Sequence, residues 1–266
     1  NTYLNEAVSE SIPIKRWPDY LMPLKVYIAP FQWYEKSKQK DATLYTHFVL
    51  EALNVWSQAT DGQFNYQVVF KYDDSNINLL WKRVDRESLG LCHTEWKNNQ
   101  IFSAEVEIGI SDGLLHAQYQ DTNEVKHTII HEMGHALGLP HSPYREDVMY
   151  VPHQYGVTDA SWRDKNTLKW LYKFEPGFDY RERLAEKRLS TEATIDDYIE
   201  ALENPGRSKA FSKQGNTPGK QAPPSPPKGL SLTEQQNLLM KKNLYNLSIQ
   251  NIKIDIKDKL NKPKND

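Results

Sequence analysis

An α+β fold is the reading this chain supports, on three observations. Apolar residues recur at helical spacing over 43–59, strand-length segments follow one another over 64–110, and a capped helix opens near Thr122. With 266 residues and 38% apolar content, the chain can bury one good-sized core, or one core with an appendage, as soluble globular proteins do. No run is long and apolar enough for a transmembrane segment. The first six residues, Asn1 to Glu6, lack a basic-then-apolar signal pattern, so any export signal is expected to be removed or never present. The single cysteine, Cys92, excludes an intramolecular disulfide and leaves the redox compartment open.

Taken in order, residues 12–30 alternate apolar stretches with prolines, and 24–28 (Leu, Lys, Val, Tyr, Ile) read as a first strand. Leu44, Phe48, Leu50, Leu53, Val55 and Trp56 then line one helix, which Asp61-Gly62 closes. Segments 64–72, 77–84, 89–96 and 101–110 have strand length and are separated by Asp, Asn and Gly. Asp121-x-x-Glu124 resembles a capping box for a helix over 122–137, and Gly138 supplies its stop. Further helices are expected at 163–172, 178–189 and 194–202.

The end of the chain differs in kind. Residues 204–229 contain six prolines among Ser, Lys, Gln and Gly, a composition that buries too little apolar surface to fold, and we read it as a linker. Beyond it, Ser231-x-x-Glu234 suits a helix cap while Ile252, Ile254 and Ile256 alternate as in a strand, so both states stay open. The net charge of −2 hides an asymmetry: residues 204–266 carry 12 Lys/Arg against 4 Asp/Glu, leaving 21 basic and 31 acidic residues before them. The basic tail reads either as a solvated extension or as a tether to an anionic surface. Nothing in the chain calls for a nucleic-acid partner.

Residues 131–142 read His, Glu, Met, Gly, His, Ala, Leu, Gly, Leu, Pro, His, Ser and match HExxHxxGxxH in full. Four residues apart on a helix, His131 and His135 project from one face and can bind one metal at about 2.0–2.1 Å. Gly138 allows a sharp turn that returns His141 as a third ligand. Three nitrogen ligands leave a position open for water, which marks a catalytic zinc, and Glu132 stands where it can take that water's proton as general base. The plainer reading, ordinary histidines on a helix, meets the five fixed positions by chance on the order of 10⁻⁵ to 10⁻⁴ per chain. His127, one turn earlier, is followed by Thr128 where a base is needed, so it is expected to support the ligands or lie on the surface rather than bind metal.

This motif, with Met149 eight residues after His141 in Asp147-Val148-Met149-Tyr150, resembles the metzincin clan of zinc metalloproteases, in which such a methionine floors the metal site. Ser142 after the third histidine is similar to the matrixin, or matrix metalloprotease, branch. Trp56-Ser57, Phe64, the segment 77–84 and the Leu-Tyr ending of 164–172 resemble flanking parts of that family, so the likeness covers about 17–172. It implies a twisted, mostly parallel five-stranded sheet with an active-site helix and a C-terminal subdomain helix, followed by a helical or disordered tail. The corresponding division is a catalytic domain at 1–178, a helical extension at 179–203, a Pro-rich linker at 204–230 and a basic tail at 231–266.

Further expectations come with the resemblance. The reaction is hydrolysis of peptide bonds in extended protein or peptide substrates by a zinc-bound water that Glu132 activates, with one catalytic Zn²⁺ and with Ca²⁺ as an option near Asp112-Gly113. Substrate would lie along the edge strand 89–96, making Leu91 and His93 candidate substrate contacts, with Pro152 and Tyr155 as a loose match to the family's pocket wall. The loop before that strand is too short for a structural zinc site, which leaves His93 an ordinary strand histidine in that respect. No inhibitory cysteine segment is present, and Cys92 reads as packing. Family resemblance also implies a secreted or extracytoplasmic protein. The contrasting reading, from the incomplete pocket wall, is a weak or inactive zinc-bearing peptide-binding module.

Overall fold

The computed structural model describes residues 1–10, 13–31, 39–83, 89–110 and 121–205. Its centre is a sheet of five strands. These are β1 (Leu24–Ile28), β2 (Tyr66–Val69), β3 (Ile77–Arg83), β4 (Gly90–Lys97) and β5 (Gln100–Ile110). They lie in the order β2-β1-β3-β5-β4, and β1, β3 and β5 supply the buried side chains. The β1–β2, β1–β3 and β3–β5 pairs are parallel and β4–β5 is antiparallel, so the sheet is mixed and mostly parallel. Leu24, Val26, Ile77, Leu79, Val106 and Ile108 are fully enclosed, as expected of strands covered by helices.

Among the described residues five α-helices accompany the sheet: α1 (Leu4–Glu10), α2 (Gln39–Ala59), α3 (Thr122–Ala136), α4 (Trp162–Lys173) and α5 (Ile195–Glu203). Helix α3 packs against α2, β4 and β5. Its start is fixed by the expected capping box: the Asp121 carboxylate accepts from Asn123 N, and Asp121 N donates to Glu124. Its end is held by long-range donors onto carbonyls. Trp56 Nε1 bonds to Ile130 O, Trp17 Nε1 to Ala136 O at 2.7 Å, and the Tyr172 hydroxyl to Leu137 O. Glycine was needed at 138, where φ is +101°.

Several expected elements change on inspection. The 64–72 strand shrinks to β2 and gives way to a 3-10 turn at Tyr72–Asp74, because alternation ends at Phe70, whose ring is exposed. Where 178–189 suggested one helix, two 3-10 turns form, Tyr180–Arg183 and Ala185–Lys187. Only Tyr180 and Leu184 turn inward there, and Arg188 at φ +57° stops the second. Helix α1 had no counterpart in the sequence reading. Tyr3, Leu4 and Val8 join the same apolar core as Ile195, Tyr198 and Ile199 of α5, and Thr2 N donates to Asp196. The chain divides into a unit at 1–213 and another at 214–266. The second unit, most of the linker and the Asp112-Gly113 segment lie outside the described residues.

Candidate metal and catalytic site

The helical spacing does what it promised. His131, His135 and His141 form a group of three potential ligands whose donor atoms all lie within 4.8 Å of one another. His135 Nε2 stands 3.1 Å from His131 Nε2 and 3.0 Å from His141 Nε2. The opposite nitrogens explain the orientation: His131 Nδ1 donates to Val148 O at 2.7 Å and His135 Nδ1 to Leu139 O at 2.8 Å. A carbonyl has no proton to give, so each Nδ1 carries the hydrogen and each facing Nε2 carries a lone pair. Burial holds His131 well below the usual imidazole range and His135 down to about 4, which keeps both rings neutral. Two bare lone pairs therefore face each other across 3.1 Å, a contact that a shared cation relieves. The donor set fits a divalent metal with nitrogen preference.

Beneath the histidines runs the turn containing Met149. Ser142 N donates to Met149 O at 2.9 Å, which ties the chain after His141 to the turn. Met149 is fully buried, and its sulfur would lie 2.5 Å from a Cβ added at Gly134, so glycine at that position makes room for the methionine side chain. Buried carboxylates hold the turn from the other side. Asp164 accepts from Val148 N and Ser161 N at 2.8 Å and from the Tyr3 hydroxyl at 2.8 Å. Asp147 accepts from Ser142, Ser161 and Arg163. Tyr3, Asp147, Arg163 and Asp164 were not singled out from sequence; Asp164 does close a local capping box with Ser161, but the contacts that join it to Tyr3 and Val148, and Asp147 to Ser161 and Arg163, span distant parts of the chain.

Glu132 is buried against β4. A Cβ at Gly90 would meet its Cγ and Oε1 at 2.6 Å and Thr128 Cγ2 at 2.7 Å, so the missing side chain at Gly90 makes room for the carboxyl. Burial pushes that carboxyl up to about 8, and a dication alongside would pull it back down. Glu132 and the three histidines line a cleft of about 460 Å³ together with Gly90, Leu91, Cys92, Thr94 and Trp96 of β4. Burial, and then the nearby Glu132, push the Cys92 thiol up, which suits packing.

Of the remaining sequence candidates, Leu91 lines the cleft and His93, two residues further on the same face of β4, does not; it stands exposed. Pro152 and Tyr155 are also outside the cleft lining. Tyr155 is largely exposed and edge-on to His153, whose ring packs 4.0 Å from that of His127. His127 is buried, stacks on His131 with ring centres 5.8 Å apart, and its Nδ1 donates to Val157 O. It braces the row and is not in the group of three.

The matrixin family model matches residues 30–173, the stretch that contains the motif, the methionine turn and α4. The chain is a matrixin. Over 116 residues this matrixin is 28% identical to a protein of Heliothis virescens ascovirus 3e named "Putative matrix metalloproteinase"; that match takes in 38% of the chain and 24% of the viral protein. The chain thus spans about a quarter of that relative's length. Helices α1 and α5 of this matrixin lie outside the family match.

Proposed function

We propose that this matrixin is a zinc-dependent endopeptidase that cleaves extended segments of protein substrates, with His131, His135 and His141 as the zinc ligands, Met149 as the floor beneath them and Glu132 as the general base. The observation that carries this reading is the pair of imidazole lone pairs facing each other at 3.1 Å beside a buried carboxyl. Bound zinc would supply Lewis acidity, polarising a substrate carbonyl and lowering the pKa of water to about 7. Glu132, held against Gly90 at the head of the cleft, would accept a proton at its carboxylate and return it to the departing amine. Val148 O and Leu139 O keep the imidazoles in the tautomer that such binding requires.

Substrate geometry follows from β4. It ends the sheet, so its outer edge offers main-chain donors and acceptors to a peptide lying extended along the cleft, with Leu91 among the contacts. Segments already paired in a helix or sheet lack those groups, so loops and unfolded chains are the favoured substrates. No helix among the described residues is long and apolar enough to cross a membrane. Action outside the cytoplasm is part of the same reading and rests on the family.

Glu132→Gln tests the assignment. The variant is expected to keep about one zinc per chain and to lose casein cleavage. Cleavage at the parent rate would refute the role of Glu132. Binding of peptides with chelator-insensitive absence of cleavage in the parent would favour a zinc-bearing peptide-binding module.

A further inference from the structure

The cleft contains a cation that the histidine chemistry leaves unused. Lys15 lines it together with Trp96, Ile101 and Gly138, toward the far end of β4 from Gly90. Its ammonium stands 3.4 Å from the centre of the Trp96 ring. Among the described residues no carboxylate makes an ion pair with it. A surface lysine ordinarily extends its charge into water, whereas here the charge is drawn onto an aromatic face inside a concave wall.

Both partners are held in position. The Lys15 backbone is pinned between Ile14, which exchanges hydrogen bonds with Phe178 and Gly177, and Arg16, which exchanges them with Asn99 and Ile101. Lys15 O approaches to 3.1 Å from the place of a Cβ on Gly138, so this stretch also abuts the turn between the second and third histidines. Trp96 is aimed by an irregularity in the ladder: Glu95 pairs with Ser103 and Trp96 with Ile101, which leaves Phe102 as the extra residue of a bulge. The other groups lining this end, such as Thr94, Ile101 and Pro140, are neutral. Partial burial lowers the Lys15 pKa, the mark of an ammonium that has given up some of its hydration.

We propose that Lys15 and Trp96 form a substrate subsite for a carboxylate, that of an Asp or Glu side chain several residues from the bond cleaved. The ammonium supplies the charge and the indole the apolar wall for the side-chain methylenes. The distance follows from Gly90 and Trp96 lying at opposite ends of β4, with about 3.3 Å of rise per residue. Lys15 precedes the residues matched by the family model, and Trp96 lies within them. The inference rests on the peptidase reading above.

The test uses fluorogenic peptides, acetylated and amidated at their ends, that differ only by Glu or Gln at each position in turn. The parent is expected to favour Glu about tenfold in kcat/KM at one position remote from the cleaved bond, the size of a partly buried ion pair. That ratio should fall to about one in Lys15→Met, survive in Lys15→Arg and reverse toward a Lys peptide in Lys15→Glu. A parent ratio near one, or a ratio that persists in Lys15→Met, overturns the subsite. Preference only for peptides with a free C-terminal carboxylate overturns the side-chain assignment in favour of chain-end recognition. Binding of the same pair, fluorescein-labelled, to Glu132→Gln reads the subsite without turnover. Glu preference there with no cleavage by the parent defeats the peptidase reading and keeps the subsite; no preference defeats the subsite.

Discussion

Helix α3 and strand β4 form the two sides of the cleft and are built on opposite terms. In and just after α3, many groups near the site are committed: the Nδ1 atoms of His131 and His135 to carbonyls, the carbonyls of Ile130, Ala136 and Leu137 to Trp56, Trp17 and Tyr172, and Gly134 to the space beside the sulfur of Met149. Among the described residues, strand β4 pairs along one edge, with β5, and Leu91 and Trp96 are substantially exposed. The contrast separates two demands. A metal and its base need side chains fixed before the reaction, while a bound peptide needs main-chain groups still unspent.

The strongest way to break this contrast is to remove a group from the committed side. His135→Ala is expected to abolish zinc retention after dialysis and to lower kcat/KM by about a thousandfold or more, read by metal analysis and peptide turnover. A variant that keeps full zinc and activity would mean the ligand set is different. Where the two sides touch, Gly90→Ala pushes a methyl group into Glu132. Activity should fall by about a hundredfold while zinc content stays at the parent level, because the carboxyl moves and the imidazoles do not. Unchanged kcat with bound zinc would show that Glu132 has room to spare.

How much of this was readable beforehand depends on how far apart the partners lie in sequence. His131, Glu132, His135, His141 and the capping box fall within one helix and its turn, so spacing alone brought them out, and strand-length segments between Asp, Asn and Gly marked the strands. Asp147 and Asp164 carry the methionine turn, yet their value comes from Tyr3, Ser142, Val148, Ser161 and Arg163, which only the folded chain assembles. Helix α1 was missed because it is short and is held by burying Leu4 and Val8 in a core shared with distant segments rather than by a long local pattern. Leu91 and His93 share one face of β4, so alternation could not tell that only Leu91 lines the cleft, and nearness to Met149 in sequence did not bring Pro152 or Tyr155 into it.

Smaller effects sharpen the picture. Tyr3→Phe removes a hydroxyl that donates to the buried Asp164, and is expected to lower unfolding stability by about 1–2 kcal/mol in urea titration. No change would mean that the Tyr3 hydroxyl adds nothing net to the docking of this segment. Smaller still, the Cys92 thiol is held protonated by its raised pKa, so iodoacetamide should modify it slowly in the folded protein at pH 8 and rapidly once guanidinium unfolds the chain. Equal rates would place Cys92 on the open side of the cleft wall.

The most direct measurement is crystallography of the protein with zinc, with diffraction recorded on both sides of the zinc absorption edge. One anomalous peak is predicted about 2.0–2.1 Å from the Nε2 atoms of His131, His135 and His141, with a fourth position facing the cleft. A peak held by other side chains, or a fourth corner filled from within the protein, would contradict the account.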